Sequence, residues 1–277
     1  MRYIISLAVP LYFLPLMFSF GEVQNTLEKT EVLIAESKFY EAMMALEPLL
    51  MTDQKSKDQE EALWHANMLC EELVTTLTTD YHKTRNNIPS DSGPMKREKV
   101  EYLNRLGAGI YYDEGELCSD SYLYDYDFLK RFIENYPNSP RIPIAEYYLM
   151  RSKYFRWGGD TLTENEDEAL KALHAYVKKY AKNGLAEVYR AYLDIAHINH
   201  GLWALLTYPE EFFGPMDGLP SGEGLTRAEI YKAKALKYYA KFIANKYYPD
   251  LKKSAREHYT DLIQNKKSGL FFIFVGC

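Results

Sequence analysis

An aromatic helix–turn–helix pattern that recurs along the chain limits what this sequence can fold into. Its clearest copy is FIENYPNSPRIPIAEYYLMRSKYF, residues 132–155, in which prolines separate two segments of helical character. Phe128, Phe132 and Tyr136 recur every four residues, which places them on one face of a helix. The prolines that follow Tyr136 predict a turn, because proline cannot continue a helix. The segment therefore predicts a pair of antiparallel helices.

Two further copies follow the first. Their first helices keep the aromatic spacing: Ala172, Tyr176 and Tyr180 in the second copy, and Tyr238, Phe242 and Tyr247 in the third, where the last tyrosine comes one residue late. The second helices contain equivalent alanines, Ala145, Ala186 and Ala255, and the second of these is 41 positions after the first. The longer interval before the third includes a Gly- and Pro-rich segment, residues 208–224. One helix pair cannot bury its apolar face alone, so the repeat predicts an all-α solenoid of stacked antiparallel helix pairs.

Short local patterns predict where the helices begin and end. Capping boxes of the form Ser/Thr-x-x-Glu/Gln predict helix starts at Ser56, Thr163 and Thr226. Asn138 or Ser139, with Pro140, predicts the start of the second helix of the first copy. That helix is expected to turn these residues toward its neighbours: Ile144, Ala145, Tyr148, Ser152 and Phe155. Further helices are predicted on both sides of a break at residues 36–38, over residues 96–112 and over 185–206, and β alternation only in 270–275.

The N-terminus predicts an export signal. Arg2 is followed by an almost wholly apolar stretch, residues 3–20, and small residues stand near Gly21. We expect residues 1–21 to form a cleaved signal peptide; the alternative is an uncleaved membrane anchor, which Pro10 and Pro15 would interrupt. The rest of the chain is predicted to comprise an N-terminal helical region, residues 22–115, and the helical repeats, residues 116–277.

Composition narrows the class of partner. The net charge of −6 argues against a nucleic acid or an anionic membrane surface, because both require a basic face. The 25 tyrosines suit helix faces that are half buried, where the hydroxyl can stay in water. Three widely spaced cysteines are not a disulfide framework or a zinc site. Cys70 falls on an apolar helical stripe and is predicted to be a core residue, whereas Cys118 and Cys277 can pair or stay free.

The repeat resembles the tetratricopeptide (TPR) family. The stretch from Ser37 to Ala42 resembles the turn within a TPR unit, and Phe128, Phe132, Tyr136 and Pro140 fall where that unit has its small residue, aromatic, next core residue and proline. The phrase FIENYPNSP is similar to TPR lipoproteins of the outer-membrane β-barrel assembly machinery and to the periplasmic TPR coordinators of the Tol-Pal system. The resemblance covers residues 26–50 and 124–268. It implies a scaffold that binds other proteins.

No catalytic or cofactor-binding motif stands out. His197 and His200 lie three residues apart on one helix face, a spacing that metal ligands use, but no further ligand completes a site, so we expect polar residues near a helix end. Asp120, Asp125 and Asp127 lack the pattern of a calcium loop and are expected to cap the following helix. We therefore predict no metal, no cofactor and no enzymatic activity.

The expected function is recognition of a partner in the bacterial cell envelope, most simply in the periplasm. The concave face formed by the stacked first helices would bind an extended peptide or a partner protein, and through that partner the chain would associate peripherally with the outer membrane. The candidate binding residues are Tyr147, Arg151, Tyr189, Arg190, Asp194 and His197. Phe212 and Phe213, in the long loop, are either a contact pair or packed against the last helices. Two alternatives remain open: a cell-wall-active hydrolase or lyase of helical-toroid architecture, and a carbohydrate-binding envelope component.

Overall fold

The computed structural model describes residues 20–85, 93–113, 121–156, 161–162, 166–208 and 222–266, and in these ranges the chain is predominantly helical, as predicted. The described helices are α1 Phe20–Ala35, α2 Phe39–Leu50, α3 Lys57–Arg85, α4 Gly93–Arg105, α5 Asp127–Asn135, α6 Ile142–Tyr154, α7 Glu166–Tyr180, α8 Ala186–Thr207, α9 Gly222–Ile243 and α10 Pro249–Ile263. None of these helices combines the length and apolarity needed to cross a bilayer. Most of the signal-peptide prediction, the Phe212–Phe213 pair, Cys118, Cys277 and residues 270–275 lie outside the described ranges.

Several predicted helix limits are confirmed. Ser37 has a left-handed backbone (φ 58°) between α1 and α2, and Gly184 has one (φ 64°) between α7 and α8. Ser56 caps α3, because its Oγ accepts a hydrogen bond from the Gln59 amide at 3.1 Å. The other half of that capping box is replaced. The Tyr136 hydroxyl accepts the Ser56 amide hydrogen at 3.1 Å and donates to Gln59 Oε1 at 2.7 Å.

Other predicted helix starts are wrong. Thr226 lies inside α9, which begins four residues earlier at Gly222. α6 begins at Ile142, with Pro143 in its first turn in place of Pro140. Asp125 and Asp127 do not cap α5, since both carboxylates bind Lys130 Nζ, at 2.8 and 3.0 Å.

A β-hairpin was not predicted. Strand β1 (Ile110–Asp113) pairs antiparallel with β2 (Ser121–Tyr124), so the predicted helix over residues 96–112 ends instead at Arg105. Gly107 and Gly109 have positive φ, which ends the helix. The side chain of Asn104 then forms two hydrogen bonds with the backbone of Ile110. The Asn104 side chain donates to Ile110 O at 2.8 Å and accepts from Ile110 N at 2.7 Å. A second, two-residue pair joins β3 (Phe155–Arg156) to β4 (Thr161–Leu162).

The buried side chains form three clusters that follow chain order. The first extends from α2 to the start of α6, the second from α6 to α8, and the third from α8 to α10. α6 and α8 each contribute to two clusters: Ala145 and Tyr147 lie in different ones, as do Ile195 and Ala196. Cys70 is buried in the first cluster, as predicted. The first cluster includes residues from both sides of the predicted domain limit at residue 115, which falls between β1 and β2.

The phase of α6 differs from the prediction. Tyr148, expected in the core, is 40% exposed, whereas its neighbour Tyr147 is 2% exposed. Adjacent helical residues point about 100° apart, so only one of two consecutive tyrosines can face the same neighbour. The choice between them decides which side chain meets α8.

Candidate functional site

Four of the six predicted binding residues come together around one buried carboxylate. The Asp194 carboxylate on α8 is 2% exposed and accepts a hydrogen bond from the Tyr147 hydroxyl at 2.7 Å. Arg151 Nε lies 3.1 Å from the same oxygen, Oδ2, and Arg190 Nε lies 3.8 Å from Oδ1. We call Tyr147, Arg151, Arg190 and Asp194 the Asp194 cluster. Its geometry joins α6 to α8.

Helical spacing produces this arrangement. Tyr147 and Arg151 are one turn apart on α6, and Arg190 and Asp194 are one turn apart on α8, so each helix contributes two side chains to the same place. An ionised carboxylate removed from water needs charged or hydrogen-bonding partners. Burial, and secondarily the charge of Asp194, hold the pKa of Tyr147 well above its usual value, so its hydroxyl stays a donor. The cluster thus pairs the Asp194 carboxylate with one hydroxyl and two guanidinium groups.

The predicted placement on first helices is wrong. The candidate residues lie on α6 and α8, which are the second helices of their pairs. Tyr147 and Asp194 are buried rather than displayed in an open groove, and the arginine side chains are only 14% and 19% exposed. A partner can therefore reach the rim of the cluster but not its centre.

The rim of the cluster combines Arg190, a predicted binding residue, with Tyr148, Glu187 and Tyr248, which were not predicted to bind. Tyr148 on α6 is exposed, and Glu187 and Arg190 lie near the start of α8. Tyr248 stands just before α10; burial, and after it the charge of the nearby Glu187, raise the pKa of Tyr248 to about 12. Tyr189 packs its ring 5.7 Å from Tyr247 and 6.0 Å from Tyr192, beside the rim.

A second cluster lies one turn further along α8. His197, His200 and His258 surround Tyr239, with ring centroids 5.6 to 6.3 Å apart. We call these four residues the histidine cluster. His200 is fully buried, and its Nδ1 lies 3.1 Å from the Tyr239 hydroxyl. The expectation of polar residues near a helix end is therefore wrong for His200, which lies two turns before the end of α8.

Burial determines the protonation of the histidine cluster. Burial lowers the pKa of His197 well below its usual value and lowers the pKa of His200 to about 3. The charge of the nearby His258 acts in the same direction on both. The pKa of His258 is lowered by burial too. Across the described ranges, no group of three or more His, Cys, Asp or Glu residues is arranged to hold a metal ion. The cluster is a packed, neutral aromatic group.

Comparison of the chain with protein-family models and with curated proteins found no match. A functional assignment for this chain therefore rests on the contacts of its own residues.

Proposed function

We propose that the chain is an exported, non-enzymatic scaffold of the bacterial cell envelope, built as a TPR-like solenoid, that binds a partner protein or peptide. A role in the assembly of outer-membrane proteins is the specific form that the sequence resemblance suggests. The proposal has two parts, a stacked architecture and a binding rim, and each has its own support.

Equivalent tyrosines support the stacked architecture. The tyrosine at the end of each predicted first helix donates a hydrogen bond to the preceding unit. Tyr136 binds Gln59 at 2.7 Å, Tyr180 binds Glu146 at 2.8 Å, and Tyr247 binds the Gly184 carbonyl at 2.8 Å. Three tyrosines at equivalent positions, each bound to the preceding unit through a different acceptor, are what a stack of similar helix pairs would produce. This regularity is the observation that carries the architectural part of the proposal.

The composition of the rim supports partner binding. Tyr148 and Tyr248 offer large rings with hydroxyl groups, and Arg190 and Glu187 offer opposite charges. Tyrosine and arginine are enriched among the residues that dominate protein–protein binding energy. The Asp194 cluster lies directly beneath and fixes α6 against α8, so the rim is held in one geometry before a partner arrives.

The test is photo-crosslinking in envelope extracts of the source bacterium. A photoreactive residue in place of Tyr148 should crosslink to a defined envelope protein, and Arg190→Ala should weaken the product at least fivefold. Lys253→Ala removes one exposed charge from α10 and should leave the product unchanged. Circular dichroism of each variant checks that the helices are retained.

Three outcomes would contradict the proposal. The first is crosslinking to the bait alone. The second is equal loss of the product with Arg190→Ala and Lys253→Ala. The third is release of soluble sugar or peptide fragments from cell-wall material by the purified chain, which would favour the hydrolase or lyase instead.

Export has a separate test. Mass spectrometry of the protein recovered from the periplasm should give a mature chain that begins near Gly21. Recovery of the full-length chain in the cytoplasm alone would contradict this part of the proposal and leave the binding rim untouched.

A further inference from the structure

The second half of α9 carries a concentration of positive charge in this acidic protein. Residues 230–249 contain five lysines and no Asp or Glu, whereas the three lysines of α7 are balanced by three acidic residues in its first turn. Both α7 and α9 pack against α8. A net charge of −6 therefore conceals a local basic surface.

Tyrosine rings lie between the lysines of α9 and helix α7. The Tyr238 hydroxyl lies 3.2 Å from Nδ1 of His174 on α7, and the Tyr238 ring lies 5.7 Å from that of Tyr192 on α8. Lys241 Nζ lies over both tyrosine rings, 4.9 Å from the centre of Tyr192 and 5.2 Å from that of Tyr238. Lys234 lies two turns before Lys241 on α9, and its Nζ is 5.4 Å from the ring centre of Tyr231.

The lysines act as a group. Lys234, Lys237 and Lys241 are exposed, and after burial their charges are what lowers the pKa of the exposed His174. All three therefore face the same region between α7 and α9. We call the following residues the Lys–Tyr strip: His174, Tyr192, Tyr231, Lys234, Lys237, Tyr238 and Lys241.

The spacing of the strip suits an extended chain. Lysines at i, i+3 and i+7 lie on one helix face and span about 10 Å along the axis. An extended peptide covers about 10 Å in three residues, so a run of four or five acidic residues can oppose all three ammonium groups. The positions of the Lys234 and Lys241 ammonium groups over tyrosine rings restrict these two side chains before binding, which reduces the entropy cost.

We propose that the Lys–Tyr strip binds an acidic protein segment in extended form, by charge complementarity. Lys241 of the same chain lies over the rings of Tyr192 and Tyr238, and the two rings contact each other, which leaves little ring surface on which nucleic-acid bases would stack. The tyrosines of the strip are half buried, and Ile230, one turn before Lys234, is an exposed apolar side chain on this face; a single such side chain gives little insertion into a bilayer. This surface is distinct from the Asp194 rim, and the inference stands whether or not the proposed scaffold function is correct.

The experiment measures fluorescence anisotropy of a labelled octaglutamate peptide with the full chain, at low salt and at 0.3 M salt. The wild type should bind octaglutamate with an affinity that falls as salt rises, and it should not bind octaglutamine. The triple variant Lys234→Gln/Lys237→Gln/Lys241→Gln should bind about tenfold more weakly, which is ~1.4 kcal/mol.

A matched triple variant controls for net charge. Lys29→Gln/Lys55→Gln/Lys253→Gln removes three exposed lysines elsewhere and should change the affinity less than twofold. Equal weakening by both triple variants would overturn the proposal, as would no octaglutamate binding at low salt. Tighter binding of octathymidine or of vesicles containing phosphatidylglycerol would overturn it in favour of a nucleic acid or a membrane. Circular dichroism verifies that both variants keep the wild-type helix content.

Discussion

Tyr147→Phe removes one oxygen from the centre of the Asp194 cluster and should destabilise the protein by about 2 kcal/mol. The hydroxyl donates at 2.7 Å to a carboxylate, and both side chains are only 2% exposed, so water cannot replace the lost donor. A hydrogen bond to a charged group contributes ~1.5–3 kcal/mol, and the change of shape is too small to add a large cavity cost. For a chain of this length we expect the melting temperature to fall by roughly 4–8 °C.

The assay is urea unfolding followed by far-UV circular dichroism at pH 7. Tyr180→Phe is the matched control: that hydroxyl donates at 2.8 Å to the Glu146 carboxylate, whose side chain is 31% exposed. Water can solvate Glu146 after the change, so the control should lose less than about 1 kcal/mol. In an Asp194→Asn background, where the acceptor is neutral, the loss from Tyr147→Phe should fall to about 1 kcal/mol.

Two results would refute this reasoning. Equal losses in Tyr147→Phe and Tyr180→Phe would show that burial of the acceptor does not determine the cost. A loss below about 0.5 kcal/mol in Tyr147→Phe would show that Arg151 and Arg190 alone satisfy Asp194.

Three further predictions concern other contacts. The pKa of His200 is about 3 in the folded state and 6.5 in the unfolded state, so the unfolded state binds more protons and the free energy of unfolding falls as pH drops below 6.5. His200→Gln should therefore lose about 2 kcal/mol less of this free energy between pH 7 and pH 5, as measured by urea unfolding. Gly109→Ala should cost more than Gly184→Ala in the same assay, because both glycines have positive φ but only at Gly109 would the new Cβ meet a side chain, with Asp127 Cγ 2.8 Å away; equal costs would contradict this. Tyr136→Phe should lower the unfolding free energy by about 1–2 kcal/mol through loss of its bonds to Ser56 and Gln59, and no loss would remove the proposed contact between units.

Helical periodicity in the sequence was sufficient to predict that the chain is predominantly helical. α8 was predicted over residues 185–206 and extends over Ala186–Thr207, because Gly184 ends the preceding helix and the apolar pattern has one period throughout. The hairpin of β1 and β2 was missed for a physical reason. IYYD and SYLY have apolar or aromatic residues on both faces, so they show no alternation, and each is stabilised by the other strand rather than by its own neighbours in sequence.

Four of the six candidate residues lie together, but not in the predicted environment. The sequence placed all six on an exposed face of the first helices, whereas the four lie on the second helices, α6 and α8, around a buried carboxylate. Whether Tyr147 or Tyr148 faces the core depends on the phase of α6, and the buried Tyr147 contacts residues distant in sequence, including Asp194, 47 residues away. Local sequence cannot distinguish two adjacent tyrosines, so the buried pairing became visible only in three dimensions. The strip of lysines on α9 was overlooked because net charge averages over acidic segments elsewhere.

α8 connects the two surfaces and also separates them. Arg190 and Asp194 lie on one face of this helix, and Tyr192 is two residues away, about 200° around the axis. The Asp194 rim and the Lys–Tyr strip therefore lie on nearly opposite sides of one helix. If both proposals are correct, a partner segment at one surface leaves the other open, and a single chain can hold two segments at once, one with mixed aromatic and charged contacts and one with acidic contacts. If both segments belong to one partner, binding at the second surface becomes intramolecular, and the overall affinity exceeds that of either contact alone.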